Sequence, residues 1–280
     1  MMRHVESRTS TDGSVKLLWE LPGGEYVESI RFRYGDGEHG CISSQAGCPV
    51  ACAFCETGRV RRHRNLSVEQ IVDQVRGMGT KLRVVQFAGM GEPLLNPENV
   101  AQATRTILAK GLAREVTLTT VGIVPAMEAL ADLPLARLNV SLHAADDATR
   151  QRLIPVGRKY PIRKVIAAAV RYRERTGNPV TMNYLLLNGV NDSDADIARL
   201  AVLLDPAIFS IRLKAWNAIP GTDLRASPPE RVRHVLDTLQ CAGFAASLCE
   251  SMGADIGGGC GQLSASRGPA VGSAPLPVTA

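Results

Sequence analysis

Cys41-Ile-Ser-Ser-Gln-Ala-Gly-Cys48-Pro-Val-Ala-Cys52-Ala-Phe-Cys55 is the stretch on which the reading of this chain turns. Cys48, Cys52 and Cys55 are spaced C-x3-C-x2-C, close enough for one tight loop to aim three thiolates at a common point. Three thiolates hold three irons of a cubane iron–sulfur cluster, which otherwise takes four, and leave the last iron open for chemistry. The competing reading is a structural zinc knuckle, with Cys41 or His63 closing the tetrahedron. The triplet by itself leaves both readings open.

Downstream of the triplet, Arg59-Val-Arg-Arg-His-Arg-Asn65 packs four arginines and a histidine into seven residues. Such a run is either a solvated loop or a phosphate contact. Ser67 followed by Gln70 reads as a capping box, opening a helix with an apolar stripe of Val68, Ile71, Val72 and Val75. Strands and helices then alternate. Strands are expected at 82–87, 116–120, 138–142, 180–187, 209–215 and 245–249, and helices at 97–110, 124–133, 147–153, 162–176, 193–204 and 228–241. That rhythm predicts right-handed crossovers and a parallel sheet. Six repeats fall short of an eight-fold barrel, so the expected fold class is α/β: an open, partial (β/α)6 TIM-type barrel. Functional residues should then lie at the carboxyl ends of its strands.

Upstream, Val15–Leu21 and Tyr26–Tyr34 flank Pro22-Gly23-Gly24, which predicts a short β-hairpin before the barrel. In the second run Tyr26, Ile30, Phe32 and Tyr34 form an apolar face, and Val27, Ser29, Arg31 and Arg33 a mostly polar one. Glu28 is the lone charge on the apolar side. It is either a carboxylate near the strand's start, still reaching water, or one aimed at a site. The expected organisation is a disordered amino terminus over 1–13, a hairpin over 14–40, a partial barrel over 41–250, a cysteine loop over 251–263, and a disordered Ala/Pro/Ser/Gly-rich tail over 264–280.

The strand ends carry the motifs. The 82–87 strand runs into Ala88-Gly-Met-Gly-Glu-Pro93, where glycines permit close backbone approach and Glu92 can accept hydrogen bonds from an ammonium group. The others end in Thr119-Thr-Val-Gly122, Ser141-Leu-His143 and Trp216-Asn217. Cys260, flanked by glycines just past the last strand, has little local packing to justify it. Cys241 and Cys249 read instead as buried, inert thiols on a helix face and in a strand.

Composition sets the bounds. The chain has 280 residues, 45% hydrophobic and 21% charged, enough for one large domain. No apolar run approaches the ~20 residues of a membrane span, and the start lacks the apolar core of a secretory signal. Seven cysteines with a tight triplet point to a reducing, cytoplasmic setting and to metal or catalytic thiols. A formal charge of +5 permits an anionic partner such as RNA without demanding one.

Over about residues 25–263 the sequence resembles the RlmN/Cfr-type radical S-adenosylmethionine (SAM) methyltransferases. The shared motifs are Cys-x-Ser-Ser-Gln-x-Gly-Cys-x3-Cys-x-Phe-Cys-x-Thr-Gly, Arg-Asn-Leu at 64–66, Gly-Met-Gly-Glu-Pro-Leu-Leu-Asn at 89–96, Ser-Leu-His-Ala at 141–144, Trp-Asn-x-x-Pro-Gly at 216–221 and Cys-Gly-Gln-Leu at 260–263. The resemblance implies a partial barrel of the radical SAM kind. Cys48, Cys52 and Cys55 would hold a 4Fe–4S cluster. Gly91, Glu92, Thr119 (usually serine in the family), Ser141, Leu142, His143 and Asn217 would bind SAM. It further implies that Cys260 carries a methyl group, that Cys41 is the resolving cysteine, and that Glu28 is the general base.

The family's chemistry makes this set intelligible. An sp2 carbon such as adenine carbon 2 or 8 is not nucleophilic, so two SAM molecules are used per turnover. One methylates Cys260 by polar transfer; the other, cleaved reductively, activates that methyl group for addition to the ring. Glu28 then removes the ring proton, and Cys41 releases the product by forming a disulfide with Cys260. The resemblance also implies RNA as partner, an electron donor such as flavodoxin or ferredoxin, and a monomer.

Two features depart from the family. Its members carry a helical amino-terminal domain that helps grip RNA, whereas 25 residues precede the Tyr26 strand here. The stretch before the Cys260 loop, usually basic, reads Cys249-Glu-Ser-Met252. Both lower the expected counterion-release contribution to RNA affinity, while the Arg59–Arg64 run raises it. Three readings follow: methylation of an RNA adenine, the same chemistry on a small nucleoside or secondary metabolite, and a non-catalytic zinc-binding RNA-interaction protein.

Overall fold

A computed structural model describes residues 2–60 and 62–265. In chain order the elements are β1 (Arg3–Thr9), β2 (Val15–Glu20), β3 (Tyr26–Tyr34), β4 (Gly37–Ile42), β5 (Gln45–Ala46), β6 (Arg64–Asn65), α1 (Val68–Gly77), β7 (Leu82–Phe87), α2 (Pro97–Ala109), β8 (Ala113–Thr120), α3 (Val124–Glu128), β9 (Arg137–Ser141), α4 (Asp147–Leu153), α5 (Ile162–Thr176), β10 (Val180–Leu186), α6 (Asp194–Leu203), β11 (Phe209–Ala215), α7 (Pro229–Cys241) and β12 (Ala246–Cys249). One sheet runs β1-β2-β3-β4-β7-β8-β9-β10-β11-β12. Its first three pairings are antiparallel. Every pairing from β4–β7 onward is parallel. This is the expected partial α/β barrel with an antiparallel extension.

The helices begin and end where local chemistry dictates. Ser67 and Gln70 form the expected capping box on α1, and Ser193 with Asp196 forms another on α6. Gly177 closes α5 in the left-handed conformation, at φ 69°.

The sheet has two chemically distinct faces. Val85, Phe87, Val116, Leu118, Leu138, Val140, Met182, Ile211 and Leu213 alternate along β7–β11 and are buried beneath the helices. Each such side chain contributes about 1.5–3 kcal/mol of burial. The strand registers set Cys41 beside Gln86, Gln86 beside Thr117, Thr119 beside Asn139, Ser141 beside Asn183, Asn183 beside Arg212, and Lys214 beside Cys249. The inner face is therefore polar, unlike the branched apolar filling of a closed TIM barrel. A polar inner face is stable only where ligand or solvent meets its hydrogen-bonding groups.

Three expectations need correction. Residues 1–13 are not a disordered leader, because Arg3–Thr9 pairs along β2 and Ser10 and Thr11 bond to Asp255. The hairpin is part of a four-stranded antiparallel run, and the 40/41 boundary falls inside β4. That strand pairs with β3 on one side and β7 on the other, so it is the first strand of the barrel. Its Gly-Glu-His-Gly start has poor strand propensity, and pairing on both sides overrides it. Val27 and Ser29, placed on a polar face, are fully buried, with Ser29 accepting a 2.9 Å hydrogen bond from the Trp19 indole. The expected disorder of the tail falls, from residue 266 on, outside the described residues. Among the described residues no helix is long and apolar enough to cross a membrane.

Candidate active site

The cluster loop leaves β4 at Ile42 and turns back through the small β5–β6 ladder. Gly89 and Gly91 let the Gly-Met-Gly-Glu loop press against it. A Cβ at Gly89 would stand 2.8 Å from the Ile42 carbonyl, and one at Gly91 2.6 Å from the Gln45 side chain. The space those glycines keep is filled here by residues 42–45. Ala51 adopts φ 53° between Cys48 and Cys52, where the loop must reverse. Gly58 fits against it, since a Cβ there would meet the Ala51 backbone at 2.8 Å.

Burial pushes the Cys48 thiol up to about 12 and raises Cys52 and Cys55 as well. Each would repel another's negative charge, because the three are neighbours. Opposing this, backbone amides of Val50 and Ala51 favour a Cys48 thiolate, and Thr57 and Gly58 favour one at Cys55. Amides aimed at buried sulfurs fit thiolates bound to a cationic metal cluster. Cys41 lies elsewhere, within electrostatic reach of Cys260 and Lys214. His63 is exposed. Among the described residues no three His, Cys, Asp or Glu side chains are gathered as a single metal ion would need.

Glu92 is buried and accepts from Leu94 N at 3.0 Å, Thr120 Oγ1 at 2.7 Å and Val121 N at 2.8 Å. These are neutral donors, and burial raises its carboxyl above the usual range. A buried carboxylate beside the thiols, with no cation bonded to it among the described residues, suits an incoming ammonium group. Thr119 and Ser141 are half-buried on the inner face. Leu142 N donates to Asn183 O over 3.1 Å. Asn139 Oδ1 and Asn183 Oδ1, on the same face, are buried without a partner, as acceptors awaiting a ligand's donors would be.

His143 adopts φ 58° and is buried, its Nδ1 accepting from Leu185 N at 3.0 Å and its ring standing edge-on to Phe54 at 5.0 Å. Burial lowers its pKa to about 3, with Lys214 and Arg150 adding to the effect. Arg150, absent from the sequence reading, is fully buried and donates to Val121 O and Tyr160 O while its Nε has no partner. Burial lowers its pKa to about 10, and Cys52 would favour its charge. One of two arginines in a short helix, it gave no signal in the sequence; only burial singles it out.

The Cys260 loop is stitched to the cluster loop. Glu56 N donates to Gly261 O at 2.8 Å, and Thr57 Oγ1 to Leu263 O at 2.6 Å. Asn217 Nδ2 donates to Cys260 O at 3.3 Å and to Ser251 Oγ at 2.7 Å, and Trp216 Nε1 to Phe54 O at 3.0 Å. Cys260 Sγ is 3.2 Å from Lys214 Nζ, and Cys249 Sγ is 4.0 Å from the same nitrogen. Cys249 is thus at the site rather than an inert core thiol, and Cys241 is exposed on α7. Glu28 is buried, with Oε1 2.9 Å from Lys16 Nζ and Oε2 accepting from Ser264 N and Ala265 N at 3.0 Å.

The family model of the Radical SAM superfamily matches residues 42–201. A probable dual-specificity RNA methyltransferase RlmN of Deinococcus deserti is 39% identical over 96% of this chain and 82% of its own length. This chain belongs to the RlmN-type radical SAM methyltransferases. A probable RNA methyltransferase of Rhodopseudomonas palustris is 40% identical, covering 89% of this chain and 71% of its own. The crystal structure of a radical SAM methyltransferase from Sphaerobacter thermophilus superposes with a TM-score of 0.89 at 36% identity, over 95% of this chain and 82% of that one. The enzyme is accordingly a radical SAM methyltransferase, and the family implies a 4Fe–4S cluster and SAM. The thiol loop and the buried, cation-free Glu92 fit that pair.

The Arg59–Arg64 run is less available than its composition implies. Arg59 donates to Pro220 O and Gly221 O and pairs with Glu56 at 3.5 Å, while Arg64 pairs with Glu25 at 3.2 Å. Arg62 is exposed.

Proposed function

We propose that this enzyme methylates an sp2 carbon of an adenine in RNA, carbon 2 or 8, through an S-methylated Cys260, using two SAM molecules per turnover. One observation carries the reading: Cys41, 219 residues from Cys260 in sequence, lies within electrostatic reach of Cys260 in the fold. A methyltransferase that worked by direct displacement would have no use for the second thiol.

Cys48, Cys52 and Cys55 hold the cluster, which when bound supplies the electron that cleaves SAM; a flavodoxin or ferredoxin would deliver it. Glu92 receives the SAM ammonium group, and Gly91, Thr119, Ser141, Leu142, His143 and Asn217 shape the surrounding pocket. Cys260 accepts a methyl group as a thiolate, its electron pair forming the new S–C bond. Glu28 takes the ring proton once its Oε2 exchanges the Ser264 and Ala265 amides for the substrate. Cys41, as a thiolate, attacks the Cys260 sulfur; the S–S bond forms as the bond from that sulfur to the base-linked carbon breaks, and that carbon keeps the electron pair and takes a proton, freeing the methylated base.

Incubating the reconstituted enzyme with protein-free ribosomal RNA or tRNA and labelled SAM, followed by nucleoside analysis, tests the substrate. Labelled methyladenosine is the expected product. SAM cleavage without any labelled RNA nucleoside would overturn RNA as substrate. A second reading, a small nucleoside or secondary metabolite, draws support from the ion-paired Arg59 and Arg64 and from Glu250 beside the Cys260 loop.

A further inference from the structure

Lys214 lies on the inner face of β11, paired in register with Cys249 of β12. Nothing in the motif pattern assigned it a role. It is half-buried, and among the described residues no carboxylate pairs with it. Its Nζ is 3.2 Å from Cys260 Sγ and 4.0 Å from Cys249 Sγ. The other titratable or charged groups that sense it are Cys41, His143 and Arg212. Of these, Arg212 repels it and His143 is neutral, which leaves the thiols as its counter-charges.

We propose that Lys214 holds Cys260 as a thiolate while that sulfur is the nucleophile. The proposal rests on the role of Cys260 given above. The chemistry balances: the Cys260 electron pair forms the S–CH3 bond as the sulfonium S–CH3 bond of SAM breaks, releasing neutral S-adenosylhomocysteine. Methylation removes the negative charge at Cys260 and with it the salt link to Lys214.

The test is the pH dependence of iodoacetamide alkylation in cluster-loaded enzyme, read peptide by peptide so that Cys41, Cys249 and Cys260 are separated. Lys214→Gln should move the Cys260 midpoint up by about one pH unit, roughly a tenfold loss of thiolate near neutrality. Lys214→Arg should restore most of it. Equal Cys260 midpoints with Lys and Gln at 214 would overturn the proposal. That failure is distinct from a failure of the underlying reading. In that case Cys260 would show the Lys214 effect on alkylation yet gain no methyl mass after exposure to SAM.

Discussion

Lys16 and Glu28 form an ion pair inside the protein, Nζ 2.9 Å from Oε1, with side chains only 10% and 2% exposed. β2 and β3 bring them together, and Lys16 also reaches Gly257 O at 3.4 Å in the Cys260 loop. The pair gives the buried carboxylate of the proposed base a counter-charge. Lys16→Met leaves that charge buried beside two amide donors, and should cost about 3 kcal/mol. Lys16→Met/Glu28→Gln should recover most of the loss. Chemical denaturation of the four proteins in the cycle measures it; a Lys16→Met protein as stable as the parent would refute the pairing.

Cys52 is within electrostatic reach of Cys48, Cys55 and Arg150. Anaerobic reconstitution of Cys52→Ala should lose the cluster's visible absorbance and all 5′-deoxyadenosine formation. Iron content equal to that of the parent would remove Cys52 from the ligand set.

Cys41→Ala separates resolution from all earlier steps. The variant should fold, take up its cluster and cleave SAM, then stall with the substrate joined to Cys260. With RNA the adduct would run as a slow, ribonuclease-sensitive protein band; with a small molecule it would be added mass on the Cys260 peptide. Free methylated product at the parent rate would end the two-thiol mechanism.

His143 gives the fold an acid-sensitive point. Burial holds its folded pKa near 3, below the unfolded value of about 6.5. The neutral ring's contribution is therefore complete above about pH 6.5 and is lost as pH falls towards 3, at up to about 1.4 kcal/mol per pH unit. His143→Asn tolerates the left-handed backbone and keeps an acceptor for Leu185 N. Its urea midpoint in cluster-free protein should fall less steeply between pH 6 and pH 4. Parallel slopes would count against this account.

What the sequence determined by itself is the local and periodic part. Alternating runs such as Leu138-Asn-Val-Ser-Leu142 gave strands at the right places. Ser67 with Gln70 gave a helix start, and the cysteine spacing pointed to a loop able to hold a metal. These features depend on neighbours a few residues apart, so they are written in order along the chain. Only the tertiary structure decided the rest. β4 is a strand because β3 and β7 pair with it, residues 3–9 are ordered because β2 offers them an edge, and Arg59 and Arg64 are occupied because glutamates and carbonyls from elsewhere reach them. Arg150 and Lys214 look like ordinary cations in an amphipathic helix and an alternating strand. Burial places one beside Cys52, and the register of β11 with β12 places the other between Cys249 and Cys260. Charge acts through space, over a few ångströms, and the sequence carries no record of which distant residues folding brings within that range.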